Sequence, residues 1–219
     1  MLKDQIPLLE ILPRRRQQEI SRVCKLLHLR KGQALFQEGD PATHVWLIQR
    51  GWVHLVKRSP QGTPVTVFTV TPEEILCGYS AVVGRGTYYA SAIAATETTA
   101  WQAPQEVFQR FVQEEPGFGA RVLAIYHARM RKMAEAISMA QAPVEQRLAY
   151  TLLRLQHSFG RTIPVTHHEL ARMAGIRWET SIRTLSRMKR RGWIASARGR
   201  VMVLEPARLQ SALDGAREA

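Results

Sequence analysis

Thr166 and Glu169 stand three residues apart just ahead of an apolar run, and Gly175 closes that run six residues later. A hydroxyl residue followed at the third position by a carboxylate is the signature of a capping box, in which each side chain satisfies a backbone N–H that the first helical turn leaves open. The spacing therefore predicts a helix opening at Thr166-His167-His168-Glu169 and continuing through Leu170-Ala171-Arg172-Met173-Ala174. Gly175 then serves as the left-handed stop, with Ile176 plugging the core beneath the turn. A second helix is predicted from Trp178 to about Arg190, with Ile182, Leu185 and Met188 facing inward. Its outer face carries Arg177, Trp178, Glu179, Thr180, Arg183, Arg187 and Arg190. Two short helices about a glycine turn, from Thr166 to about Met188, read as a helix-turn-helix whose second, basic helix is the recognition helix.

The segment C-terminal to this helix pair points the same way. Lys189-Arg190-Arg191-Gly192-Trp193-Ile194 leads into a predicted hairpin, with strands over Trp193–Ala197 and Val201–Leu204 and the turn at Arg198-Gly199-Arg200. A basic hairpin in this position reads as a wing resting on the phosphate backbone. The chain carries a formal net charge of +13, and residues 143–219 hold 14 Lys+Arg against 6 Asp+Glu, whereas residues 1–142 hold 17 against 12. Positive charge gathered at one end favours a polyanion, which here means double-stranded DNA over a protein-binding winged helix or a membrane surface.

The remainder divides by periodicity. Residues 6–29 read as helical on both sides of Pro13, with Leu8, Leu9, Ile11 and Leu12 before it and Ile20, Val23, Cys24 and Leu27 after it. Cys24 falls on that apolar face as a structural thiol. From Arg30 to Pro104, short strands alternate with turn residues such as Lys31-Gly32, Glu38-Gly39-Asp40-Pro41 and Ser59-Pro60-Gln61-Gly62, the pattern of a sandwich or barrel. A short helix with Val107, Phe108 and Phe111 inward ends before Pro116. Beyond it Gly119, Leu123, Tyr126, Met130, Met133, Ile137 and Ala140 recur alternately four and three residues apart. Such a heptad seam suits a two-stranded coil, so a homodimer is expected along Leu123, Tyr126, Met130, Met133 and Ile137. Pro143 ends or kinks this helix. The next one buries Val144, Leu148, Leu152, Leu153 and Leu155, and Phe159-Gly160-Arg161 turns the chain. The division expected is 1–116, 117–142 and 143–219.

Several classes are disfavoured. No apolar run reaches the roughly 18 residues of a membrane span, and no apolar segment succeeds the first residues as in a signal peptide; a cytoplasmic protein is expected. Two cysteines, Cys24 and Cys77, rule out a disulfide framework or an all-cysteine metal site within one chain. A cupin-like metal enzyme would need clustered histidines, but His44 and His54 are isolated, His28 and His127 fall in predicted helices, and His167 and His168 sit at the cap.

Taken together, Phe36-Gln37-Glu38-Gly39-Asp40-Pro41, Trp46-Leu47-Ile48-Gln49-Arg50-Gly51-Trp52-Val53, Gln146-Arg147-Leu148-Ala149 and Gly175-Ile176-Arg177-Trp178-Glu179-Thr180-Ser181-Ile182-Arg183 resemble, in that order, the cyclic-AMP receptor protein/fumarate–nitrate regulator (CRP/FNR) family of transcription regulators. The resemblance covers about Leu9 to Leu213. It implies an α+β architecture: an N-terminal β jelly-roll sensor domain of the cyclic-nucleotide-binding type, a long dimerisation helix and a C-terminal winged helix-turn-helix. It also implies that Glu179 and Arg183 read bases, with Trp178 beside them. Their chemistry agrees, since a carboxylate can accept from cytosine N4 and a guanidinium can pair with guanine O6 and N7. Thr166, His168, Arg177, Thr180, Arg187, Arg198 and Arg200 are the expected backbone contacts. The implied target is a palindrome related to TGTGA with half-sites about one turn apart, and the implied partner is RNA polymerase, met through the loop His157–Pro164. Arg177 and Trp178 depart from the family pattern, where a small N-cap residue is usual.

The sensor departs further. Cyclic-nucleotide binding in this family uses a Gly-Glu pair and, about seven residues later, an Arg-Ser pair. Here Tyr79 follows Gly78 in place of glutamate, and Tyr89-Ala90 replaces Arg-Ser, so a cyclic phosphate loses its main charge partner. The effector-pocket candidates are Cys77, Gly78, Tyr79, Tyr88 and Tyr89. No cofactor is expected, and the favoured regulator has a non-nucleotide effector or none. The alternatives are haem held at Cys77, by likeness to the family's carbon-monoxide sensor, and redox chemistry at the same thiol. An iron–sulfur cluster would need several cysteines near the N-terminus, where only Cys24 stands.

Overall fold

The computed structural model describes residues 7–72, 74–76 and 86–215, and the chain divides into two compact units, Met1–Lys132 and Met133–Ala219. Cys77, Gly78 and Tyr79 lie outside the described residues.

The first unit opens with two short helices, α1 (Pro7–Glu10) and α2 (Arg14–Val23), followed by β1 (Lys25–Leu29), β2 (Ala34–Phe36), β3 (His44–Arg50), β4 (Val53–Arg58), β5 (Pro64–Val70), β6 (Ile75–Leu76), β7 (Ser91–Ala94) and β8 (Thr98–Pro104). Among the described residues these form two four-stranded sheets, ordered β1-β8-β3-β6 and β2-β7-β4-β5, with antiparallel pairing throughout. Two sheets with interleaved strand order are the expected jelly roll. The helical reading of Cys24–Leu29 is corrected: α2 stops at Val23, and Lys25–Leu29 pairs residue for residue with Gln102–Thr98 of β8. The apolar spacing there fits either period, and pairing with a strand about seventy positions away decides it. Cys24 packs half-buried on the core, and burial pushes its thiol up to about 12, which keeps it protonated and unreactive.

After β8 come α3 (Gln105–Glu114) and the long helix α4 (Pro116–Ser138), which runs past the unit boundary into a 3-10 turn at Met139–Gln141. Leu8, Leu9, Leu12, Ile20, Phe108, Phe111, Phe118 and Val122 cluster against Val45, Leu47 and Ile75 of the sheets. Arg16 ties this helical layer from outside through Glu19, Glu114 and Glu115. Arg129 of α4 is 5% exposed; it donates to the carbonyl of Ile75 at 2.6 Å and lies over the rings of Phe68 and Tyr126. Gly51 turns β3 into β4 at φ +78°. A Cβ there would fall 2.7 Å from Thr98 Oγ1 and 2.8 Å from Thr98 Cα, and closer still to the carbonyl of Glu97.

In the second unit α5 (Val144–Phe159), β9 (Thr162–Ile163), α6 (His167–Met173), α7 (Trp178–Arg190), β10 (Ile194–Ala197), β11 (Arg200–Val203) and α8 (Pro206–Asp214) come in order. β10, β11 and β9 make a three-stranded antiparallel sheet. The core is apolar and closed: Leu148, Leu152, Leu155, Ile163, Val165, Leu170, Leu185, Met188, Ile194, Val201, Val203 and Leu209 are all buried. The expected surface loop His157–Pro164 is shorter than the sequence suggests, because Phe159 ends α5 and Thr162–Ile163 joins the sheet.

Candidate nucleic-acid interface

The helix-turn-helix is built from local satisfactions. Thr166 Oγ1 accepts from the Glu169 N–H at 3.2 Å, and Glu169 Oε2 accepts from both the N–H and the hydroxyl of Thr166 at 2.8 Å. The box closes the first turn of α6 and gives the buried Glu169 two hydrogen-bond donors. At the other end Ile176 N–H donates to Ala171 and Gly175 N–H to Arg172, the paired bonds of a Schellman stop. Gly175 has φ +61°. Arg147 of α5 reaches this turn, Nε to the Ala174 carbonyl at 2.9 Å and Nη2 to the Gly175 carbonyl at 2.6 Å. A Cβ on Gly175 would meet Arg147 Nη2 at 2.6 Å, so the glycine answers both to its backbone conformation and to the arginine above it.

α7 presents a different face from the one its apolar residues suggest. Its buried positions are Ser181, Thr184, Leu185 and Met188, while Ile182 is 37% exposed. The inward placement of Ile182 is therefore corrected. Two hydroxyl residues take the inner positions because each returns its proton to the helix: Ser181 Oγ donates to Trp178 O at 2.7 Å and Thr184 Oγ1 to Thr180 O at 3.1 Å. Both buried hydroxyls are thereby satisfied within one turn. The outward set becomes Glu179, Ile182, Arg183 and Ser186, spaced as one helical stripe, with Trp178 one turn before Ile182.

The expected backbone residues separate into two groups. Arg177, Arg198 and Arg200 are on the surface, Arg177 at the start of α7 and the other two at the tip of the β10–β11 hairpin, where Gly199 takes φ +72°. Thr166 is half-buried with its hydroxyl committed to the cap, which removes its donor from a phosphate. Thr180 is half-buried. The His168 ring lies 5.5 Å from that of Trp178. Arg187 is paired with Glu145 of α5 at 2.8 Å, and Arg191 reaches the same carboxylate at 3.1 Å. Sequence reasoning misses Glu145, whose only signal is an acid at the start of α5. It also misses His167, which bonds Ser196 of β10 at 2.9 Å and so fastens α6 to the wing. Half-burial and then the nearby Lys189 hold His167 below the ordinary histidine value.

Of the seam positions, Leu123, Met130 and Ile137 are 66%, 69% and 72% exposed, and Tyr126 and Met133 are half-buried. Gly119 leaves the seam: it is buried, and an added Cβ would strike the Val112 carbonyl at 2.8 Å. Of the described effector candidates, Tyr88 is buried, stacked on Phe36 at 3.8 Å, and its hydroxyl bridges the backbone N–H and carbonyl of His44. Tyr89 is exposed, and its carbonyl accepts from Lys57. Among the described residues no three His, Cys, Asp or Glu side chains stand together as metal ligands, and no helix is long and apolar enough to cross a membrane.

Comparison with known proteins agrees with this architecture. Residues 26–115 match the family described as cyclic nucleotide-binding domain, and residues 146–212 match the Crp-like helix-turn-helix domain. The CRP-like cAMP-activated global transcriptional regulator of Mycobacterium tuberculosis is 24% identical over 188 residues, spanning 82% of this chain and 84% of that protein. The nitrogen fixation regulation protein FixK of Bradyrhizobium diazoefficiens is 28% identical over 207 residues, spanning 88% and 84%. The solved structure of FixK2 from Bradyrhizobium japonicum superposes with a TM-score of 0.77 at 17% identity, covering 86% of this chain and 96% of the other. With a cyclic-nucleotide-binding jelly roll and a Crp-like winged helix-turn-helix matched in that order, the chain belongs to the CRP/FNR family of DNA-binding transcription regulators and is not an enzyme.

Proposed function

We propose that this regulator binds, as a homodimer, a two-fold DNA site related to TGTGA, and activates transcription by recruiting RNA polymerase without a cyclic nucleotide. The carrying observation is the exposed pair Glu179 and Arg183, four residues apart on α7 and flanked by the cations Arg177 and Arg190. Laid in a major groove, that face offers an acceptor to cytosine N4 and a fork to guanine O6 and N7, each good contact contributing ~1–3 kcal/mol of discrimination. Arg198 and Arg200 on the wing serve the phosphates, as does Arg177. The seam Leu123, Tyr126, Met130, Met133 and Ile137 supplies the two-fold axis: its exposed aliphatic side chains lie on one stripe of a 23-residue helix, where a second copy gives them knobs-into-holes packing. Tyr79 and Tyr89-Ala90 take the places where the family's nucleotide sites carry Glu and Arg-Ser, which supports control by something other than a cyclic nucleotide. Selection of bound sequences from random duplex DNA tests the reading. A palindrome with half-sites about one turn apart is expected, bound equally well with and without cyclic AMP; a selection that returns no two-fold site overturns it.

A further inference from the structure

We infer that Ile182 is a third base-reading residue, one that recognises thymine by its C5 methyl group. The inference rests on α7 entering the major groove as proposed above.

Ile182 is the aliphatic side chain of α7 that the fold of its own unit leaves partly uncovered. It is β-branched, a weaker helix former than the straight-chain residues around it. It is 37% exposed although Ser181 and Thr184 on either side are 0% and 4% exposed. Rotating the helix to bury Ile182 would recover part of the ~1.5–3 kcal/mol that full burial of such a side chain contributes. Instead the two hydroxyls occupy the inner face with their protons returned to Trp178 and Thr180. The isoleucine is thereby set between Glu179 and Arg183, the two groups with hydrogen bonds to offer a base pair.

Its surroundings define the partner. Arg183 and Arg190 are exposed on the same helix, and Arg177 stands at its start, so the surface that meets this stripe is anionic overall and must carry an apolar spot at its floor. In the major groove of DNA the thymine C5 methyl is that spot: it is the apolar group that stands among the donors and acceptors by which the base pairs are told apart. Trp178, the other exposed apolar residue of the helix, has one side engaged by the His168 ring. Ile182 has a short side chain with one preferred helical rotamer, suited to touching a single methyl at a fixed place. The half-site should thus contain a thymine adjoining the base pairs read by Glu179 and Arg183.

The test uses the full chain and its selected site. Each thymine of the half-site is replaced in turn by dU, which removes the methyl group and leaves every hydrogen bond, and Kd is measured by fluorescence anisotropy. Wild type should lose about three- to five-fold at one thymine per half-site, the size of one buried methyl. Ile182→Ala should weaken binding to the thymine site by a similar factor and be indifferent to dU at that position only. Ile182→Val should keep part of the preference. Because the side chain is 37% exposed and otherwise covered, Ile182→Val should melt close to wild type and Ile182→Ala somewhat below it, so Kd is compared at a temperature where all three are folded. The inference is overturned if no thymine is sensitive in wild type, or if Ile182→Ala keeps the wild-type thymine-to-dU ratio at every position. A protein with no two-fold site at all would instead sink the reading on which this rests, and the inference with it.

Discussion

The two units hold themselves together over different distances along the chain. In the jelly roll the defining contacts are remote: Lys25 faces Gln102, Ala34 faces Ile93, and the carbonyl of Trp52 accepts from Ala95 and Thr98. In the winged helix-turn-helix the contacts that start and stop its two central helices are near: Thr166 with Glu169, Gly175 with Arg172, and Ser181 with Trp178. Remote pairing fixes a segment only when the whole sheet is assembled, whereas a cap works within one turn. The first unit should therefore fail at points where strands cross, and the second should weaken in small local steps.

Two glycines put this contrast to its most severe test. Gly51→Ala forces a Cβ into the backbone of Glu97 and Thr98 in a left-handed conformation. Gly175→Ala meets only the flexible tip of Arg147 in a similar conformation. Combining strain and overpacking, Gly51→Ala should destabilise the first unit by about 3 kcal/mol or more, and Gly175→Ala the second by about 1–2 kcal/mol. Hydrogen exchange resolved along the chain checks this; equal losses would remove the distinction between the units. Next, Thr166→Ala deletes a cap and strips a partner from the buried Glu169 carboxylate. A loss of about 1–2 kcal/mol is expected, with amide protection falling at the start of α6 and little change in the sheets of the first unit.

The smallest effect comes from pH, and a histidine in each unit reports it. His44 is held below the ordinary value by burial and then Lys25, and His167 by burial and then Lys189. Each is harder to protonate folded than unfolded. Their contribution is intact above the unfolded value near 6.5 and is lost as pH falls below it, because the unfolded chain then binds the proton first. Melting temperature should decline on acidification from about pH 7.5 to about pH 5.5, a window spanning the ordinary histidine value, and His167→Gln should flatten the decline in the second unit alone. A decline unchanged in that variant would place the titration elsewhere.

The same division of distances explains how much of the molecule is legible in its sequence. The start, stop and length of α6 and the span of α7 are readable from Thr166, Glu169 and Gly175 because their partners are neighbours in the chain. Lys25–Leu29 reads as helix because its partner strand begins only at Thr98. Ile182 reads as core when apolarity alone is weighed and hydroxyl self-satisfaction at Ser181 and Thr184 is not. Gly119 belongs to the heptad by count and to Val112 by contact. Tyr88, an expected pocket residue, stacks on Phe36 of β2 and bonds the backbone of His44 on β3, partners its own neighbours in the chain do not announce. Glu145 is not legible at all, since nothing in its own neighbourhood announces Arg187 and Arg191.

That carboxylate has a consequence for how tightly and how selectively the protein holds DNA. On the proposed docking, Arg187 and Arg191 come to the duplex with an anion already tethered to them, so the three groups together deliver one net positive charge. A phosphate that captures either arginine must displace a neighbour held at high effective concentration. The cluster thus displaces fewer condensed cations from the duplex than its two arginines suggest, and the slope of affinity against salt should fall short of the value reckoned from the arginines of this surface. Glu145 in effect discounts the indiscriminate part of the attraction and leaves the groove-facing side chains a larger share in deciding where the protein stays.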